Sequence, residues 1–94
     1  MEYVISDDSG IIAESADFIY VLNKWINSEI HNIKQNTYID DENEYKLSMK
    51  VIKKLKKYTV DFNEDPRTQF LELLKIIEQW EDVENFYDVQ LIIK

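Results

Sequence analysis

The sequence contains no cysteine, so it forms no disulfide and offers neither a thiolate nucleophile nor a cysteine-based zinc site. It has a single glycine, Gly10, which is too few for a glycine-rich phosphate loop. His31 is the only histidine, and within a helix it would fall on a polar side, away from any apolar cleft. These absences argue against an enzyme and against a bound metal or other cofactor.

Long apolar runs are also missing. No segment approaches the ~20 apolar residues that a membrane-spanning helix requires, and residues 1–4 lack the basic start of a signal peptide. We therefore expect a cytoplasmic protein that does not bind membranes. Pro66 is the only proline, so there is little material for a flexible linker, and residues 1–94 are predicted to form a single compact domain.

Basic residues are scarce outside one segment. Six of the eleven lysines and arginines fall within residues 46–57, which contain no acid, whereas residues 1–45 carry ten carboxylates against two lysines. The net charge of −8 opposes direct nucleic-acid binding, because neutralising phosphates needs clustered cations. It favours a basic protein as the partner, since opposite fields speed the encounter of two proteins.

What the sequence does contain is ample apolar material, with 45% hydrophobic residues that include two tryptophans. Apolar residues recur with helical period over residues 16–35, where Ser15 is a plausible cap, and over residues 66–81, where Asp65 precedes Pro66. Alternating or short apolar stretches predict strands at residues 2–6, 59–62 and 86–94, the first ended by a turn at residues 7–10. Glu29 falls inside the apolar arc of the first helix and is expected to reach its rim and meet a lysine.

Residues 41–58 fit two structures. Alternation of Tyr45, Leu47, Met49 and Val51 would suit a hairpin with residues 58–62, but no glycine, asparagine or proline is available for its turn. As a helix, the segment has cap-like acids at its start and places four lysines on one side, namely Lys46, Lys50, Lys53 and Lys57. The helix is therefore preferred.

The predicted fold is a small α/β or α+β domain, in which a sheet of about three strands is packed by three helices in the order βααβαβ. The hairpin would instead give the ferredoxin-like order βαββαβ.

Acidic residues and tyrosines supply the candidate binding site. Carboxylates cluster in the predicted turn and just before the lysine-rich helix, without the alternating acid pattern of a calcium loop. The residues predicted to contact a partner are Asp7, Asp8, Tyr38, Asp40, Asp41, Glu42, Glu44 and Tyr45. The tyrosines would serve as aromatic anchors and the acids would provide charge complementarity.

The layout of the chain resembles that of barstar-type ribonuclease inhibitors. The features that carry the resemblance are the length, the opening strand at residues 2–5, the predicted order of elements and the final strand at residues 89–94. Those inhibitors present acids from the second helix and the segment before it, and residues 38–44 match that idea here. The resemblance implies an inhibitor, and small acidic bacterial immunity proteins are similar in having no catalytic groups.

Three functions follow as expectations. The first is an immunity or antitoxin-type protein that blocks a basic nucleic-acid-handling toxin or nuclease. The second is a phage-type inhibitor of host defence, or a nucleic-acid mimic. The third is a regulatory adaptor that uses the basic face formed by Lys46, Lys50, Lys53 and Lys57. Self-association through patches of opposite sign is a weaker alternative.

Overall fold

The structure is a computed structural model that describes residues 1–80 and 88–94. In these ranges it contains three strands and three helices: β1 (Tyr3–Asp7), β2 (Gly10–Ser15), α1 (Phe18–Asn36), α2 (Glu42–Lys57), α3 (Pro66–Glu78) and β3 (Gln90–Ile93). The strands form one antiparallel sheet in the order β2-β1-β3. The predicted fold class, a small three-stranded sheet with three helices, is confirmed.

The order of elements differs from the prediction because the second strand follows the first directly. The predicted turn is present: the Ser9 N–H donates to Asp7 Oδ1 at 2.8 Å, and Gly10 has a φ of 122°, which a side chain would strain. The strand that follows it was missed. Ile5 pairs with Ala13 but Ser6 pairs with Ile11, so a bulge interrupts the alternation by which a strand is recognised.

The strand predicted at residues 59–62 does not form. The side chain of Gln69 in α3 takes the place of a neighbouring strand, since its Oε1 accepts from the Asp61 N–H at 3.0 Å and its Nε2 donates to the Asp61 carbonyl at 2.8 Å. Gln69 is buried, and its Nε2 also lies 3.3 Å from the Glu64 carbonyl. This one side chain therefore satisfies backbone groups that a sheet would otherwise have paired.

The helices agree closely with the sequence periodicity. The cap of α1 is Asp17 instead of the predicted Ser15: Asp17 Oδ1 accepts from the N–H groups of Ile19 and Tyr20, while Ser15 Oγ accepts from the Asp17 N–H. Pro66 occupies the first turn of α3 as predicted. Residues 42–57 are helical, so the alternative hairpin, and with it the ferredoxin-like order, is not formed.

At the C-terminal end, β3 lies antiparallel beside β1. Its pairing extends one step further, because the backbones of Glu2 and Lys94 exchange two hydrogen bonds of 3.1 and 2.8 Å. The predicted strand began at residue 86, and residues 86 and 87 lie outside the described residues. The last residues of the chain are therefore tied to the first, as the alternating pattern indicated.

The core lies between the inner face of the sheet and the helices. Trp25 of α1 is fully buried at its centre and stacks on Phe70 of α3, with ring centroids 4.9 Å apart. Its other fully or almost fully buried apolar members come from all three helices and β1 and include Ile5, Leu22, Ile33, Val51, Leu55 and Leu73. Among the described residues, no helix has the length and apolar composition needed to cross a membrane.

Candidate protein-binding loop

The connection between α1 and α2 presents exposed apolar side chains in an acidic setting. We call residues 37–41 the α1–α2 loop. Tyr38 is 72% exposed and Ile39 is 81% exposed, and the two residues that follow, Asp40 and Asp41, are also exposed. Two adjacent apolar side chains held in water beside carboxylates are the kind of feature found at binding surfaces.

Backbone and side-chain hydrogen bonds fix the shape of this loop. The Asp41 N–H donates to the Tyr38 carbonyl at 3.2 Å, and the Tyr38 N–H lies 3.4 Å from Glu44 Oε1. Asp41 Oδ1 accepts from the N–H groups of Asn43 and Glu44, both at 3.1 Å, and so caps α2. The loop is therefore closed at both ends, which lowers the entropy that binding would cost.

A buried serine joins the base of the loop to two helices. Ser48 of α2 accepts a hydrogen bond from Trp80 Nε1 at 2.6 Å and donates to the Glu44 carbonyl at 2.8 Å. The Thr37 hydroxyl donates to the Ile33 carbonyl and lies 2.8 Å from Ser48 Oγ. Residues at the ends of α1 and α3 thus meet at one hydroxyl, directly beneath the α1–α2 loop.

The predicted acids of this region differ in whether they already have a hydrogen-bond or ion-pair partner within the protein. Asp41 and Glu44 are occupied in capping and closing the loop, and Glu42 pairs with Lys46 at 2.9 Å on the exposed surface of α2. A surface pair of this kind contributes only about 0.3–0.5 kcal/mol. Asp40 accepts no side-chain hydrogen bond from the described residues. It is therefore the carboxylate of the loop that is most available to a partner.

The two predicted acids of the β1–β2 turn lie apart from the loop. Asp7 accepts from the Ser9 N–H, and Asp8 is exposed. Asp7 borders a shallow depression shared with α1, whose other lining residues include Lys24 and His31. The first loop residue follows His31 by six positions, about 9 Å along a helix axis. The turn therefore lies beside the middle of α1, whereas the loop lies at the C-terminal end of that helix.

The four predicted lysines of the basic face are all exposed, but two of them belong to a larger feature. Lys53 and Lys57 line a groove whose floor includes Met49, 37% exposed, and the buried Ile52. Two further lysines that were not part of the predicted basic face complete the rim: Lys34 from α1 and Lys56. We call this feature the lysine groove. Lys46 and Lys50 lie outside its lining.

Sequence reasoning also missed two exposed apolar residues. Ile39 stands between a tyrosine and an aspartate in a segment without helical period, and that isolation is the signal that could have identified it. Phe62 is equally exposed at 82%, and it is the last residue of the segment that was predicted to be a strand. Tyr45, predicted as a second anchor, is 43% exposed on the first turns of α2, so a partner could reach it.

Glu29 does not reach the rim of α1 as predicted. It is 3% exposed, its Oε1 accepts from Trp25 Nε1 at 3.3 Å, and its Oε2 has no partner among the described residues. Burial raises the pKa of the Glu29 carboxyl, and the nearby Asp7 adds to the rise, whereas the hydrogen bond from Trp25 opposes it. No lysine of the described residues forms an ion pair with this acid, because the apolar face of α1 is covered by the core.

Replacing Glu29 with glutamine is expected to stabilise the protein at neutral pH. A carboxyl whose pKa is raised on folding costs no stability well below its unfolded pKa of 4.5, and the cost grows as pH rises from that value to the folded pKa. Glu29→Gln should therefore unfold like the wild type at about pH 4 and be about 1–2 kcal/mol more stable at about pH 7 in urea titrations. Glu78→Gln, which removes an exposed acid from α3, is the control. Parallel pH profiles for Glu29→Gln and the wild type would contradict the expectation.

No cluster of metal-ligating side chains is formed among residues 1–80 and 88–94. His31 is exposed, and no group of three or more histidine or acidic side chains in these ranges is placed to hold a metal ion. The chain matches no protein-family model, no curated protein and no solved structure. The observed element order also departs from the layout that carried the resemblance to barstar-type inhibitors, so the loop itself is the better basis for a function.

Proposed function

We propose that the protein is a non-catalytic inhibitor of the immunity or antitoxin type, which binds a basic nucleic-acid-handling toxin or nuclease through the α1–α2 loop. The observation that carries the proposal is the pair of exposed apolar side chains, Tyr38 and Ile39, in a loop that is acidic and fixed by hydrogen bonds. The net charge of −8 supports the same choice of partner.

Two kinds of contact would act together in such a complex. Tyr38 and Ile39 would enter an apolar pocket and provide most of the binding energy, as a few central residues do in most interfaces. Asp40 and the neighbouring acids would face cations that the partner uses to hold phosphates, which speeds association and blocks the substrate. Because the loop is already ordered, little conformational entropy would be lost on binding.

The same loop chemistry suits a phage-type inhibitor of a host defence nuclease or a nucleic-acid mimic, because each would present carboxylates to a phosphate-binding surface. The mimic needs many spaced acids. Here Asp7, Asp41 and Glu44 are engaged in turns and caps, which favours a compact anchor over an extended imitation of a phosphate backbone. An adaptor role would rest on the basic face instead, including the lysine groove.

The proposal is tested by comparing three baits for capture of partners from cells of the native source, followed by mass spectrometry. The loop variant is Ile39→Ser/Asp40→Lys, and its matched control is Phe62→Ser/Glu78→Lys, which changes an equally exposed apolar residue and an exposed acid elsewhere. We expect the wild type and the control to capture the same basic protein, and the loop variant to bind it at least about tenfold more weakly. The purified partner should lose activity at near-equal stoichiometry.

Salt provides a second readout of the same complex. Association should slow markedly as ionic strength rises, because the attraction between an acidic loop and a basic surface is screened. Equal capture by the loop variant and the wild type would refute the loop as the binding site. A captured partner that retains full activity at stoichiometric excess would refute inhibition and favour the adaptor.

A further inference from the structure

We infer that the lysine groove is a docking site for a second copy of this chain, which inserts its α1–α2 loop. The rim consists of four lysines from two helices, Lys34, Lys53, Lys56 and Lys57, and the floor is apolar. The loop has the complementary chemistry, with two exposed apolar residues followed by acids. The inference uses the loop of the proposed function but is independent of any foreign partner.

The positive charge of its rim makes the groove favour an acidic occupant. Four ammonium groups around one depression repel each other, and an occupant with carboxylates would relieve that repulsion. Lys54, by contrast, is already engaged, because its Nζ donates to Gln79 Oε1 at 2.7 Å. Asp40 would meet the rim lysines, and Ile39 would cover Met49 and Ile52 on the floor.

The hydrogen bonds of the loop keep it from the far end of the groove in its own molecule. Its closing hydrogen bonds hold Tyr38 against Asp41 and Glu44, at the N-terminal end of α2. Lys34 and Met49 lie near the loop, but Lys53 follows Glu42 by eleven residues on the same helix, which is about 16 Å along its axis. A contact between the loop and the far lysines of the groove therefore forms between two molecules, with the loop of one placed in the groove of the other.

Such a contact would be small and weak. One loop and one shallow groove bury far less surface than a stable dimer needs, so the dissociation constant should be in the range of about 10–100 µM. A consequence is competition: a molecule whose loop is docked cannot use that loop for a foreign partner. Self-association would then hold the loop covered at high concentration and release it on dilution.

Sedimentation velocity of the purified protein tests the inference, over concentrations from about 10 µM to about 1 mM that bracket a weak contact. The groove variant is Lys53→Glu/Lys56→Glu, with Lys50→Glu/Lys75→Glu as the control of equal charge change. The loop variant and its control are those defined above. We expect the wild type and both controls to associate with rising concentration, and each test variant to associate at least about tenfold more weakly.

Mixing the two test variants gives the decisive result. Neither variant has both halves of the contact, but the loop variant retains a groove and the groove variant retains a loop. Their mixture should therefore form a 1:1 complex, which raised salt weakens. A wild type that stays monomeric throughout, a mixture that does not associate, or a groove variant that associates like its control would each overturn the inference.

Discussion

Replacing Ser48 with alanine is expected to lower the free energy of unfolding by about 1–3 kcal/mol, although only one oxygen atom is removed. The loss leaves the Trp80 indole N–H without its acceptor and removes the side-chain donor to the Glu44 carbonyl, which keeps its main-chain hydrogen bond within α2. Buried donors and acceptors that lose a partner cost their full desolvation energy, which exceeds the net value of a satisfied hydrogen bond. Ser48 is fully buried, so water does not replace these contacts cheaply.

A double-mutant cycle isolates this contact. Trp80→Phe removes the donor, so Ser48→Ala should cost less in that background, with a coupling of about 1–2 kcal/mol in chemical denaturation. Amide hydrogen exchange should also show faster opening at Tyr38 and Asp41, because Ser48 bonds to Glu44, whose side chain helps to close the loop. Ser28→Ala in α1 is a control. Independent effects of Ser48→Ala and Trp80→Phe would contradict the assignment.

The helices were predictable because their determinants are local. Spacing of apolar residues gives α1 and α3, and the acid at position 41 caps α2 as its spacing from Glu44 suggested. Capping is decided within a few residues, so the correction of the α1 cap from Ser15 to Asp17 moves the boundary by only two positions. Local rules therefore fix most of the helical structure of this chain.

The sheet was predictable only in part because two of its determinants are not local. A bulge between β1 and β2 hides the alternation of β2, and it is defined by the register of two strands and not by either strand alone. The absence of a strand at residues 59–62 depends on Gln69, which is brought to Asp61 by the packing of α3. Propensity favoured a strand there, and a tertiary contact decided otherwise.

In the candidate site too, some features follow from local sequence and others depend on tertiary packing. Density of acids and tyrosines along the sequence indicated residues 38–44, since that signal needs no tertiary information. The sequence predicted a basic face on α2 but not the lysine groove, because the apolar floor and the contribution of Lys34 exist only once α1 packs against α2. Likewise, the burial of Glu29 follows from what covers α1, which helical spacing alone does not specify.

Three polar side chains in the described core have distinct roles. Gln69 orders residues 61–64, and Ser48 joins the helix ends at the α1–α2 loop. The side-chain oxygen and nitrogen of Gln69 and the hydroxyl of Ser48 all have hydrogen-bond partners. Glu29 differs, because one of its oxygens is unpartnered. Buried polar groups that are satisfied specify a structure, whereas an unsatisfied one lowers stability and makes it depend on pH. By donating its indole N–H to Glu29 Oε1, Trp25 therefore limits the loss of stability that the buried carboxylate causes.

Replacing Trp25 with phenylalanine is accordingly expected to cost about 3–4 kcal/mol at pH 7 and about 1–2 kcal/mol at pH 4. The part that persists in acid is the lost ring volume beside Phe70. The part that appears with rising pH is electrostatic: the Trp25 hydrogen bond lowers the pKa of Glu29, so its removal raises that pKa further. A raised carboxyl pKa is a loss of stability that grows as pH climbs above the unfolded value.

The Glu29→Gln background separates these two parts. There Trp25→Phe should cost the same at every pH between about 4 and 8, because no ionising group remains at position 29. The pKa of Glu2 is also raised, chiefly by a hydrogen bond with Glu14, and that of Glu64 is raised by desolvation and by Glu72. Both contributions cancel when two variants are compared at the same pH. If the cost of Trp25→Phe still grew with pH in the Glu29→Gln background, the buried carboxylate could not be its source, and the pairing of Trp25 with Glu29 would have no energetic role.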